Sequence, residues 1–294
     1  MKIIKAPDIL FKNIKKLKAS GKSVGFVPTM GALHEGHLSL IRQARKENKI
    51  VVVSVFVNPS QFAPSEDLKK YPRPLKKDLV LVRKEKVDFV FLPGTKAIYP
   101  EGFSTYVNVS GLSETLCGKS RPTHFRGVAT IVLKLFNIIQ PDAAYFGQKD
   151  AQQAIIIRRM AEDLNVPVKI KVMPTIRAND GLALSSRNSY LNKQERIDAL
   201  VLSRALNLAK LLIKGGAKNS GRIISRMKQL INQKKSAKID YIAVVDPADL
   251  KPLKQISGNC LVALAVRIGK ARLVDNFQGR FSTQSKSVPI KGTP

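Results

Sequence analysis

Val24-Gly25-Phe26-Val27-Pro28-Thr29-Met30-Gly31-Ala32-Leu33-His34-Glu35-Gly36-His37 runs from an apolar block into a glycine-flanked pair of histidines. A continuous block of this kind predicts a strand buried on both faces, as in a parallel sheet. The amphipathic stretch Leu38–Lys46 predicts a helix directly after it, which makes Pro28–His37 a strand-to-helix turn. In open parallel sheets ligands bind at the carboxyl ends of strands, where helix N-terminal amides favour anions. Gly31 and Gly36 would let a nucleotide approach the backbone closely. His34 and His37, three residues apart, project from one face of a helix. The chain has three histidines, and finding two of them in this turn marks the pair as functional.

Outward from this turn, β-branched runs at Ile50–Val57, Val87–Leu92, Thr105–Val109, Ala143–Phe146 and Val168–Met173 predict further strands. Amphipathic stretches at Asp67–Glu85, Val128–Ile139 and Ala151–Leu164 predict helices between them. Strand–helix alternation implies parallel crossovers, hence a doubly wound, Rossmann-like α/β domain over residues 1–175. After Ser186 the character changes. Two helices are predicted at Gln194–Ile213 and Ser220–Gln233, separated at Gly215-Gly216, followed by strands at Asp240–Val245, Cys260–Val266 and Ala271–Val274. Residues 176–281 therefore read as a smaller α+β lid domain, and the polar tail 282–294 reads as disordered. No internal repeat is visible.

Composition narrows the classes. At 44% apolar and 24% charged, the chain is an ordinary globular one. Cys117 and Cys260 lie far apart without metal-ligand spacing, which fits a reducing cytoplasm and excludes a disulfide scaffold. The N-terminus carries no apolar stretch of signal-peptide length, and the longest apolar run, near Ile50–Val57, falls far short of the ~20 residues that span a bilayer. No membrane association is expected. The net charge of +30 is extreme, and Ala199–Ile239 holds ten Lys or Arg with no acid. Leu202, Leu206, Ala209 and Leu212 recur there at helical spacing, so these helices should dock on a core and leave their lysines in water. The absence of aromatics argues against base stacking on them.

The string Pro28–His37, with its His-x-Gly-His core, resembles the signature of the nucleotidyltransferase superfamily and, within it, the pantothenate synthetase family. Four further stretches resemble that family in order: Phe56–Phe62, Arg121–Gly127, Phe146–Gln153 and Asp180–Asn188. The likeness runs from about Val24 to Asn192, with weaker echoes at Asp275-Asn276. It implies ATP-dependent condensation of pantoate with β-alanine through a pantoyl-adenylate, giving pantothenate, AMP and pyrophosphate. It also implies Mg²⁺ and a homodimer, with helix Val128–Ile139 and neighbouring strands as the expected interface.

On this resemblance His34, His37, Lys149, Ser185, Ser186 and Arg187 are the expected catalytic residues. The nucleotide would be held by Met30–His37 (Met30, Gly31, Ala32, Leu33, His34, Glu35, Gly36, His37), by Gly147, Gln148, Lys149 and Asp150, and by Ile176, Leu184 and Ser185–Arg187. Pantoate would meet Gln61, Gln153 and Asn58, with Pro28, Met30 and Phe62 as apolar wall. Asp150 is the expected Mg²⁺ or Lys149 organiser. The residue types suit the task. A carboxylate is already a nucleophile, so the obstacle is bringing one anion up to another, and fixed positive charge answers it. The Gly111–Gly127 stretch reads as a lid. Two departures stand out: Gln148 replaces a frequent acid, and Lys77 precedes Asp78 where relatives often carry adjacent acids. Competing readings are a cytidylyl- or adenylyltransferase of a phosphorylated substrate, and a nucleic-acid-binding protein on the same fold; the proposed reaction requires no nucleic acid.

Overall fold

The computed structural model describes residues 1–64 and 66–280. Its elements run β1 (Lys2–Ile4), α1 (Pro7–Ala19), β2 (Val24–Thr29), α2 (Glu35–Glu47), β3 (Ile50–Val55), α3 (Leu75–Lys84), β4 (Phe89–Phe91), α4 (Thr95–Ile98), α5 (Cys117–Ser120), α6 (His124–Ile139), β5 (Ala143–Gly147), α7 (Ala151–Asp163) and β6 (Lys169–Met173). Then follow α8 (Lys193–Lys214), α9 (Ser220–Ile231), β7 (Ala237–Val245), β8 (Asn259–Ile268) and β9 (Ala271–Arg280).

The first six strands form one parallel sheet in the order β1-β4-β3-β2-β5-β6. Alternate residues of each strand face opposite layers, which is why these strands need apolar residues throughout. Phe26, Ile50, Val52 and Ala144 join one core with α1, α6 and α7, whereas Val27, Val51, Val53 and Tyr145 join another with α2 and α3. This is a doubly wound, Rossmann-like domain. Strand order reverses at β2, with β3 on one side and β5 on the other, so the crevice for a ligand falls between β2 and β5. The pairing itself opens that crevice. β2 and β3 match over six residues, but β2 and β5 match only at Gly25–Ala143 and Phe26–Ala144. Beyond Phe26 the two strands part.

The second unit is a three-stranded antiparallel sheet, β7-β8-β9, with α8 and α9 on one face. Val244, Val262, Leu264 and Val266 meet the helices. Val245, Leu261 and Ala263 belong instead to the core of the first sheet, so the small sheet is packed on both faces. Leu202, Leu206 and Ala209 are buried beneath α8 and Leu212 packs partly against them, while Lys210, Lys214, Arg222 and Arg226 stay exposed. The basic stretch is thus the wet face of two amphipathic helices.

Several expectations need correction. The Thr105–Val109 run is extended but pairs with no strand among the described residues. The predicted helix from Asp67 begins only at Leu75, because Pro72 and Pro74 interrupt it and leave a single 3-10 turn at Asp67–Lys69. Strand β1 and helix α1 were not foreseen, since Lys2–Ala19 is so rich in lysine that only Leu10 and Ile14 are buried along the helix. The expected tail at 282–294 lies outside the described residues.

Replacing Leu264, fully buried between β8 and the two helices, leaves a cavity the small sheet cannot collapse into. Leu264→Ala should cost about 2–5 kcal/mol, measured as a lower midpoint of chemical unfolding with unchanged slope.

Candidate active site

The turn after β2 is shaped by backbone accounting. Gly31 takes a left-handed φ of 83° and Ala32 one of 51°, which turns the chain sharply. The N–H groups of Ala32 and Leu33 then donate to the two carboxylate oxygens of Asp78 on α3, at 2.9 and 2.8 Å. Asp78 is 1% exposed. Noted in sequence only because Lys77 precedes it where relatives often carry adjacent acids, it anchors the loop.

His34 caps α2. Its Nδ1 accepts the Gly36 N–H at 3.1 Å, and the His34 N–H points back to Nδ1 of His37 at 3.4 Å. This is a capping box built from two imidazoles. A Cβ at Gly36 would lie 2.9 Å from the His34 ring, so only glycine allows it. Because each Nδ1 accepts, the ring proton sits on Nε2 in both. The rings stack at 4.1 Å between centroids. Burial, then the Lys149 ammonium, lowers His34 to about 4; burial, then His34, lowers His37 to about 3. At neutral pH the site therefore presents two uncharged N–H donors at the positive end of a helix.

Across the parted strands, β5 ends in a 3-10 turn at Gln148–Asp150 that carries Lys149. Its ammonium lies 3.3 Å from Oδ1 of Asp150. From the end of β6, a hairpin joins Leu184 to Ile176 (Leu184 N–H to Ile176 O, 3.0 Å) and delivers Ser185, Ser186 and Arg187 to the same space. Ser185 caps its turn by accepting the Arg187 N–H. The histidines, Lys149 and Ser185–Arg187 all line one cleft of about 1370 Å³. Gln61 and Gln153 line it too, along with Met30, Phe62 and Pro28.

Other expected residues sit elsewhere or are already engaged. Gly31, Ala32, Leu33, Glu35 and Gln148 are not part of the cleft wall. The first three shape the loop. Glu35 faces outward and pairs with Arg42, and the Gln148 side chain donates to Asn276. Asn58, 1% exposed, donates to Gln61 Oε1 and to the Gly127 carbonyl, and its oxygen accepts from Ser60 and Tyr99. It fixes Gln61 in place. The glycines of the expected lid serve close packing, since a Cβ at Gly127 would collide with the Ser60 carbonyl oxygen and one at Gly118 with that of Ser113.

Residues 62–64 and 66–71 line the cleft as well. Glu66 forms a bidentate pair with Arg121, and Asp67 one with Arg187, at 3.2 and 3.0 Å. Tyr71 meets the Ser186 hydroxyl at 3.2 Å. Burial opposes ionisation of Asp67, but the Arg187 guanidinium outweighs it and holds the carboxyl below its ordinary value. Sequence reading gave no tethering role to Asp67, Asp78, Gln152 or Asn276. Gln152, 6% exposed, fastens the Leu112–Cys117 loop through the Leu112 and Thr115 carbonyls and the Cys117 N–H. No spacing rule flags such residues, because their partners lie tens of positions away.

A splayed switch point that offers neutral imidazole donors beside lysine and arginine defines a Rossmann-like enzyme that handles phosphorylated or carboxylate substrates. The profile of the pantoate–beta-alanine ligase family matches residues 2–278. A pantothenate synthetase of Caldicellulosiruptor saccharolyticus is 54% identical over 264 residues, 90% of this chain and 94% of that protein. The crystal structure of pantothenate synthetase from Thermus thermophilus superposes with a TM-score of 0.90 at 43% identity, covering 94% of this chain and 99% of that one. That of a Francisella tularensis pantoate–beta-alanine ligase complexed with beta-gamma ATP and beta-alanine gives 0.77 at 35% identity, covering 94% and 97%. The chain belongs to the pantoate–β-alanine ligase family.

His124, held by the Gln61 carbonyl oxygen at 2.8 Å, is lowered to about 4 by burial and then by Arg121. All three histidines are thus neutral when folded, against an ordinary value near 6.5. As pH falls through that value the unfolded chain takes up protons that the folded one refuses, so stability declines from about pH 6.5 towards 4. Unfolding midpoints should drop between pH 7 and 5. His124→Gln, which cannot gain that proton, should lose less over the same interval.

Proposed function

We propose that this chain joins pantoate to β-alanine using ATP, by way of a pantoyl-adenylate, with release of AMP and pyrophosphate. The observation that carries the reading is the convergence of His34, His37, Lys149 and Ser185–Arg187 on one cleft whose other wall holds Gln61 and Gln153. In the first step the pantoate carboxylate attacks the α-phosphorus, a new P–O bond forms, and the bond to the β-phosphate oxygen breaks. Charge grows on the equatorial oxygens and on the departing pyrophosphate. The Nε2–H groups of the two histidines donate to it as neutral hydrogen-bond donors, and with His37 lowered to about 3 a general-acid role is not needed. Lys149 supplies a point charge, and Arg187, with the two serine hydroxyls, forks onto β- and γ-oxygens.

Gln61 and Gln153 can both donate and accept, which suits the hydroxyls and carboxylate of pantoate. Pro28, Met30 and Phe62 provide apolar wall for its geminal methyl groups. In the second step the β-alanine amine attacks the acyl carbon, loses a proton, and AMP leaves. Glu66 and Asp67, tied to Arg121 and Arg187, would help to shield the mixed anhydride from water.

Mg²⁺ fits as a companion of the triphosphate rather than as a protein-caged ion. No group of three His, Cys, Asp or Glu could hold a metal among the described residues, and Mg²⁺ on nucleotides commonly needs only one or two carboxylates. Asp150, beside Lys149, is the carboxylate placed for it. When bound, the ion would neutralise phosphate charge. Division into a domain of residues 1–175 and a lid domain of 176–281 is part of the proposal, supported by the presence of two separate sheets. Among the described residues no helix is long and apolar enough to cross a membrane; we assign the enzyme to the cytoplasm. A homodimer is also part of the proposal. The extended run from Ser104 to Asn108, with exposed Tyr106, leaves the N–H groups of Ser104, Thr105 and Tyr106 without hydrogen bonds among the described residues, and a second copy can satisfy them.

Purified protein given pantoate, β-alanine, ATP and Mg²⁺ should form AMP and pantothenate in equal amounts. His37→Ala or Lys149→Ala should lower turnover by at least about 10²-fold. AMP release indifferent to pantoate would overturn the assignment. Light scattering should give twice the chain mass, and Tyr106→Asp should shift it towards the monomer.

A further inference from the structure

Asp275 and Asn276 stand side by side on β9, 3% and 5% exposed, at the border between the small sheet and the cleft. Their side chains reach in two directions. The Asn276 amide donates to the Gln148 carbonyl at 2.9 Å and to the Lys149 carbonyl at 2.8 Å, while its oxygen accepts from the Gln148 side chain at 3.0 Å. Asp275 takes the Arg177 guanidinium in bidentate fashion at 2.6 and 2.9 Å, and also accepts the Asn276 N–H at 2.8 Å. Arg177 in turn donates to the Gly181 carbonyl and bridges to Ala183, within the hairpin that leads into Ser185–Arg187.

Two limbs of the cleft, one following β5 and one following β6, are therefore gripped by adjacent residues of a third element. Both Asn276 donors and its acceptor are engaged, as are both Asp275 oxygens, so neither side chain is free to act mainly on a substrate. We infer that Asp275 and Asn276 are positioning residues: a clasp from the small sheet that sets the separation between Lys149 and the Ser185–Arg187 turn. This rests on reading those groups as phosphate ligands. One Å of misplacement in such a constellation is enough to cost about 10²-fold in rate. On that reading a triphosphate would lie between them, held by both limbs at once. Deleting one grip lets its limb relax without removing any ligand.

Asn276→Asp keeps the shape but turns an oxygen towards two carbonyls. Asn276→Ser removes the grip with less repulsion and serves if the aspartate variant does not fold. Below the melting temperature of each variant, kcat should fall about 10²-fold for Asn276→Asp and about tenfold for Asn276→Ser, with KM for pantoate changed less than about threefold, since Gln61 and Gln153 are untouched. Asp275→Asn should raise KM for ATP by loosening the other limb.

Calorimetric binding of an α,β-methylene ATP analogue separates clasp from scaffold. Asn276→Ser should weaken it about tenfold in the native background and by less than about twofold in a Lys149→Ala background, because the effect passes through Lys149. Equal weakening in both backgrounds, or a lower melting temperature with native kcat, would overturn the inference. Wild-type protein that makes no AMP would instead count against the ligase reading. The binding comparison would still decide the clasp.

Discussion

The parting of β2 and β5 is the constraint on which the rest of the molecule depends. These neighbours pair only at Gly25–Ala143 and Phe26–Ala144, then separate towards their carboxyl ends. Had the ladder continued, the backbone of Val27–Thr29 would meet that of Tyr145–Gly147 and the crevice would be closed. Because it stops, the turn with His34 and His37 and the turn with Lys149 face each other across open space. The neighbours on either side, β3 and β6, keep full pairing and hold the two limbs apart.

Charge in the cleft is arranged so that little of it is mobile. The histidines are neutral and oriented by backbone N–H groups of their own turn, His34 by that of Gly36 and His37 by that of His34. Two of its arginines are paired with carboxylates, Arg121 with Glu66 and Arg187 with Asp67. In the proposed reaction a triphosphate would be met by donors whose geometry is already fixed, which would lower the reorganisation required when charge moves to pyrophosphate. The same ion pairs tie Glu66 and Asp67 to the cleft wall. Binding and enclosure are consequently linked through Arg187, a group that both a carboxylate and a phosphate can engage.

Much of this was legible in residues. Continuous apolar blocks at Val24–Val27 and Ile50–Val55 mark strands covered on both faces, and the glycine-flanked histidines mark an anion-binding turn at the end of one. Where reading failed, the competing force was non-local. Thr105–Val109 has strand composition but finds no partner strand among the described residues. The amphipathic pattern from Asp67 is overridden by Pro72 and Pro74. Asn58 is a motif residue whose amide turned out to be engaged with Gln61, Gly127 and Tyr99. Gly111–Gly127 reads as a lid, whereas Gly118 and Gly127 within it each lie where another backbone leaves no room for a Cβ.

By itself, then, the sequence determined the fold class, the strand-to-helix turn and the residue types of a cationic cleft, because periodicity, turn chemistry and short motifs are written in neighbouring positions. Only the tertiary structure decided which groups remain free to act. Asp78 became an anchor for the Ala32–Leu33 turn 45 positions away, and Asn276 a grip on Lys149 across 127. A hydrogen bond between residues that far apart leaves no trace in spacing, since it exists only once the elements that carry them have packed together.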